Sequence, residues 1–194
     1  ARFRGLLPML KDDWEAAQAA VDAARTFIAH SELSDIFTHG QAELTALWQR
    51  EGVWCRARPD WWNPERKIIL DIKTSKTSAR HEVWIRRQLE PMGYDLSAVH
   101  YLQGMHTLTG VVAQYVFLVV EQDPPHGCAF VALGPRYCAL ADAKLRRAFD
   151  LWRRAIQFDK WPGYLNQIAF AEQTSWQMER ALAEGDLEDI GGNT

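Results

Sequence analysis

The order of elements along this chain predicts a mixed α/β layer: a hairpin of two strands, a third strand, helices, a second strand pair and a long closing helix. Three observations lead there. Apolar residues recur at helical spacing in "DDWEAAQAAVDAARTFIAH" (12–30). Short runs rich in Ile, Val and Phe, "KIILDIKT" and "AQYVFLVVEQ", have the length of strands, and turn segments such as "NPER" and "DPPHG" bound them.

The first helix takes Asp12 or Asp13 as its N-cap and lines up Trp14, Ala17, Val21, Ala24 and Ile28. "AELTALW" (42–48) and "GVWCRARPDWW" (52–62) read as two strands of a hairpin around "QREG", and "KIILDIKT" (67–74) as a third. Helices are expected over 80–91 and 94–109, and strands over 113–122 and 128–134. The last helix, 137–161, carries Leu140, Ala143, Leu145, Ala148, Leu151, Trp152 and Ile156 and ends before Pro162-Gly163. No internal repeat or low-complexity tract occurs. The expected organisation is one domain over 1–180, with N-terminal truncation left open, and an acidic, flexible tail over 181–194.

With 194 residues, 47% of them hydrophobic, the chain can bury a core without a disulfide or metal staple. Its longest apolar runs, such as "YVFLVV", fall far short of the about 20 residues that cross a bilayer, and no signal-peptide pattern opens the sequence. A cytoplasmic location without membrane attachment is the expectation. Cys55, Cys128 and Cys138 have no C-x-x-C spacing, which argues against disulfide frameworks, zinc knuckles and four-cysteine iron–sulfur sites. The net charge of −3 is unlike that of a generic nucleic-acid-coating protein, yet residues 50–90 hold ten Lys/Arg against six Asp/Glu.

Within that basic stretch, "RARPDWWNPERKIILDIKTSKTS" (56–78) places two acids and an amine around a strand. Side chains alternate along a strand, so Ile69, Asp71 and Lys73 share one face, while Ile68, Leu70 and Ile72 point the other way into the core. Asp60 ends the neighbouring strand, and the fold-back brings its carboxylate close to that of Asp71. Two such carboxylates repel unless a cation lies between them. Mg²⁺, with Mn²⁺ able to substitute, suits Asp60, Asp71, the Ile72 carbonyl and several waters. Lys73 is then placed to hold or deprotonate an attacking water, which is the chemistry of phosphodiester hydrolysis. The spacing leaves open a plainer reading, in which Asp71 and Lys73 are a solvated edge-strand pair and Asp60 a turn residue.

"RPD", ten residues, then "DIKT" resembles the PD-(D/E)xK nuclease signature. The run from "DWEAAQAAVDAARTFIAH" through "GQAELTALWQREGVWCRARPDWW", "IILDIKTSKTS", "GYDLSAVHYLQGM" and "VVEQDPP" to "WPGY" is similar to the nuclease domain of the RecE (exonuclease VIII) group of phage and prophage exonucleases. This resemblance implies an α/β nuclease core with a central mixed sheet flanked by helices, and Mg²⁺ dependence. It implies 5′ to 3′ digestion of double-stranded DNA ends to leave a 3′ strand for recombination. A ring-like homo-oligomer and a single-strand annealing partner are implied as well. It puts Asp60 and Asp71 on the family's metal-binding acids, Lys73 on its catalytic lysine, and Glu43 on a glutamate preceding the hairpin.

Two departures accompany the likeness. The family pattern near G-Y-x-x-Q-x-x-x-Y sets Tyr94 and Tyr101 on its tyrosines but Ser97 on its glutamine, three residues that share one helix face. Gln103 lies about 120° around that helix from Ser97 and is no replacement. A histidine in a G-x-x-x-H context is missing, and His30, His39, His81, His100, His106 and His126 lie in other surroundings. Arg56, Arg58, Lys76, Arg80, Arg86 and Arg87 are expected to meet DNA phosphates irrespective of sequence, with Thr74 a phosphate or backbone contact. Trp61 and Trp62 either stack on a frayed terminal base or pack in the core or a subunit interface. Alternatives to the exonuclease are an endonuclease on the same core and a catalytically weakened DNA-end-binding module.

Overall fold

A computed structural model describes residues 8–164 and 166–185. The chain divides into two compact units, 1–154 and 155–194.

In the first unit a five-stranded mixed sheet runs in the order β1-β4-β5-β6-β7, built from β1 (Gln41–Ala42), β4 (Trp61–Asn63), β5 (Ile68–Ser75), β6 (Gln114–Glu121) and β7 (Cys128–Ala132). Only β5 and β6 pair in parallel. Parallel neighbours need a long crossover. Here it comprises a short helix α2 (His81–Trp84), which runs into a π-helical turn over Ile85–Leu89, and α3 (Tyr94–Thr109). A separate hairpin pairs β2 (Ala46–Arg50) with β3 (Val53–Ala57).

β5 is central and buried on both faces, which explains its nearly unbroken apolar run. On one face Ile68 and Leu70 join Val116, Leu118 and Val120 beneath α1 (Lys11–Ala29) and its following loop, with Ile28, Leu33 and Ile36. On the other, Ile69 joins Phe117 and Val119 against Trp84, Leu89, Ala98 and Met105. The hairpin covers α3 through Trp48. A Cβ added at Gly104 of α3 would stand 2.5 Å from that indole, so glycine permits the approach. The long helix α4 (Pro135–Phe158) packs on α3 through Ala141 and Leu145 against Val99.

Several expectations need correction. Leu10, not Asp12 or Asp13, precedes the first helix; the two aspartates sit in its first turn, where they complement the helix dipole. The expected strand 42–48 is interrupted after Ala42, and the expected 52–62 strand breaks at Arg58-Pro59-Asp60, so β3 and β4 enter different sheets. Ile72 does not enter the core but is 44% exposed, because α1 packs against β6 and β7 rather than over the far end of β5. The helix 80–91 is α-helical for one turn only.

The second unit contains α5 (Ser175–Glu184), which the sequence reading did not anticipate. Thr174 and Gln177 form a capping box at its start. Residues 181–184 of the expected tail end this helix; 186–194 lie outside the described residues. Among the described residues no helix is long and apolar enough to cross a membrane.

Candidate active site

The register Trp61↔Leu70 and Trp62↔Ile69 brings Asp60 opposite Asp71, at the point where the chain enters the sheet. Asp60 Oδ2 accepts a hydrogen bond of 2.7 Å from the Ile72 backbone N–H. One Asp60 oxygen is thereby fixed on β5 beside Asp71.

Asp71 itself is 5% exposed. Its buried Oδ2 is paired with the Lys73 ammonium. The Tyr115 hydroxyl of β6 lies close to the same carboxylate and favours its charged form. Burial pushes the Asp71 carboxyl above its ordinary value; Lys73 pulls it down, and the nearby Asp60 charge adds to the rise. Tyr115 is raised in turn by burial and by the Asp71 charge, so it remains a protonated donor.

Lys73 is the half-buried outer end of this arrangement. Its Nζ lies 5.2 Å from the centroid of the Tyr94 ring, the first residue of α3. Tyr94 is itself stacked on Trp84 at 5.9 Å, and Tyr101 meets Tyr115 edge-on at 6.1 Å. An aromatic floor thus connects α3 to the acid–amine pair.

The other expected site residues divide. Glu43 lies between β1 and β2, not in a strand, with φ +53°; its backbone N–H donates to Asp60 O at 3.0 Å. Its carboxylate is engaged by Arg58 Nε at 2.9 Å. Ser97 is exposed, and its Oγ donates back to Gly93 O at 3.3 Å rather than to the Asp71–Lys73 pair. Thr74 turns to β6, accepting from Gln122 Nε2 at 3.1 Å. Arg56, Lys76, Arg80, Arg86 and Arg87 are exposed. Gln103 links Arg50 to Asp142 at 2.7 Å on each side, a structural bridge away from Lys73. Trp61 is half-buried with Nε1 donating to Ile36 O at 2.9 Å, and Trp62 is buried.

Two contributors escaped the sequence reading. Tyr115 was legible only as a strand residue, because its approach to Asp71 follows from the β5–β6 pairing. Gln88 donates to Ser75 Oγ at 2.7 Å and Thr77 Oγ1 at 3.1 Å, which secures the loop leaving β5.

Among the described residues no three His, Cys, Asp or Glu side chains form a metal-binding group. That argues against a closed zinc-type cage. Two carboxylates brought side by side by the β4–β5 register, one of them buried, fit a hard divalent ion that retains several waters.

This sheet, with an acid before β4 and an acid and a lysine alternating along β5, defines the class of PD-(D/E)xK-like nuclease domains. The chain belongs to the family described as a PDDEXK-like domain of unknown function (DUF3799), which matches residues 9–174. A crystal structure called "Putative exonuclease", from Eubacterium rectale, is similar with a TM-score of 0.63 at 15% identity, over 87% of this chain and 66% of that one. The chain therefore spans just under two thirds of that neighbour's length, and the likeness shows the fold. The structure of SSO0001 gives a TM-score of 0.39 at 14% identity, over 74% of this chain and 61% of that one. Among curated proteins, none matches significantly. The PDDEXK-like family supports a nuclease, the neighbour supports the fold, and nucleases of this class generally use divalent metals.

Proposed function

We propose that this protein is a Mg²⁺-dependent exodeoxyribonuclease that digests double-stranded DNA from its ends, 5′ to 3′, leaving 3′ single strands for homologous recombination. The observation that carries the chemistry is the buried Asp71–Lys73 pair, with Asp60 fixed on the Ile72 amide beside it. Asp60, Asp71 and the Ile72 carbonyl are the residues that would hold the ion. When bound, it would lower the pKa of a water and polarise a phosphoryl oxygen.

The chain's own groups do the rest. Asp71 holds Lys73 Nζ in place, and the Tyr94 ring supports the ammonium from α3. The ammonium orients the attacking water and steadies charge on the phosphoryl oxygens. Lys76, Arg80, Arg86 and Arg87 offer contacts to phosphates without reading sequence. A ring-like oligomer, a single-strand annealing partner and a cytoplasmic place of action belong to the same proposal, and they rest on the RecE-like motif order.

Linear and covalently closed duplex DNA of one sequence test the reading. Mg²⁺-dependent nucleotide release from the linear form alone is expected. Cutting of the closed circle would replace the exonuclease by an endonuclease. Ser97, too short and too far out to serve as the glutamine of the family pattern, favours a second reading, a weakened end-binding module. Binding of ends with no nucleotide release would establish that instead.

A further inference from the structure

One turn beyond Tyr94, the structure has a cavity of about 410 Å³ between β3, α3 and α4. Its volume falls in the about 300–1,000 Å³ range of small-molecule sites. β3 turns Cys55 and Ala57 inward and Trp54 and Arg56 outward, and Trp54 is left 70% exposed beside the cavity. Phe149 and Trp152 of α4 line it as well, and Ser97 and His100 enter from α3. Burial holds the His100 imidazole below its ordinary value, so it is neutral near pH 7.

The lining is selective in charge. Among the described residues no Asp or Glu lines the cavity, and the one permanently charged lining residue is Arg56. A flat apolar group carrying a single negative charge matches this combination: the ring covers indole, and the anion reaches the guanidinium. Ser97 is three residues from Tyr94, so the cavity opens within about one helical turn of the ring under Lys73.

We propose that this cavity receives an unpaired nucleobase at a DNA end, with Trp54 stacking on the base and Arg56 holding its phosphate. The substrate class rests on the nuclease reading above. The stacking role moves away from Trp61 and Trp62, which serve the core, to a tryptophan on the rim.

The test measures binding separately from cleavage. Fluorescence anisotropy, with Ca²⁺ in place of Mg²⁺, compares a hairpin duplex carrying four unpaired thymidines with the same duplex carrying four abasic positions. The wild type is expected to prefer the thymidine tail. Trp54→Ala is expected to weaken binding to that tail about 5- to 150-fold, the range of a lost base–aromatic stack, with little change on the abasic tail. Arg56→Ala is expected to weaken binding to both tails equally. Equal affinity of the wild type for the two tails, or an undiminished preference in Trp54→Ala, overturns the proposal. So does a Trp54→Ala protein whose only change is its subunit number, since the cavity is then an interface between copies. Nucleotide release by the wild type in Mg²⁺ separates the two readings: if it is absent while the base preference persists, the nuclease reading fails and the cavity assignment stands.

Discussion

Asp71 and Lys73 were legible from the sequence because strand alternation alone puts them on one face, and the register of β4 on β5 adds Asp60. Ile72 was misread for a related reason: alternation says which face a residue takes, but not whether anything covers that face. The buried carboxylate also makes a stability prediction. Lys73→Met leaves Asp71 without its cation, and breaking a fully buried pair costs about 3–5 kcal/mol. Lys73 is 24% exposed, so a smaller loss is expected, whereas Asp71→Asn should melt at or above the wild-type temperature. Both variants are expected to lose nucleotide release by about 10²- to 10⁴-fold. Wild-type-like digestion by Lys73→Met would remove the lysine from the mechanism.

His100 supports a second prediction on the same scale. Burial against Trp48, at a ring separation of 4.7 Å, depresses its pKa, so the unfolded chain takes up a proton more readily than the native one. Stability from this residue is therefore present above the unfolded value of about 6.5 and is lost as pH falls from there through the lower native value. Thermal melts between pH 8 and pH 5 should show wild type losing more stability below that value than His100→Gln. Parallel curves for the two proteins would count against it.

At the scale of elements, helices were easier to read than strand partners. The α3 boundaries match because Gly93 and Gly110, both at positive φ, bracket a continuous apolar pattern. The β3–β4 break was hidden because both segments are short and rich in strand-favouring aromatic and apolar residues, and which sheet each joins depends on partners far away in sequence. α5 was missed although Thr174 and Gln177 spell its capping box; the short apolar face that follows was too weak to reveal a helix. The hairpin's seat on α3 depends on Gly104. Gly104→Ala sets a methyl 2.5 Å from the Trp48 ring, a rigid neighbour, so overpacking of about 1–3 kcal/mol is expected. A denaturant midpoint unchanged from wild type would mean that the hairpin can shift away without loss.

For the whole molecule, the fold class and the nuclease-type domain followed from motif order, since an acid–strand–lysine pattern and the α3 tyrosines converge only when β5 and the crossover helices fold together. The same convergence governs ion uptake. Asp71 is costly to ionise in the metal-free protein, and a divalent ion would compete with a proton for its carboxylate. Added Mg²⁺ or Mn²⁺ should therefore raise the melting temperature. At a hundredfold excess over Kd the gain is about 2.7 kcal/mol, or roughly 5–10 °C for a chain of this size. Because the Asp71 pKa is raised, the shift should be largest above that value and shrink as pH falls through it, when the proton displaces the ion. Asp60→Asn and Asp71→Asn should each reduce the shift, while Glu43→Gln, whose carboxylate is turned to Arg58, should keep it. A thermal shift that survives in both aspartate variants would locate the ion elsewhere.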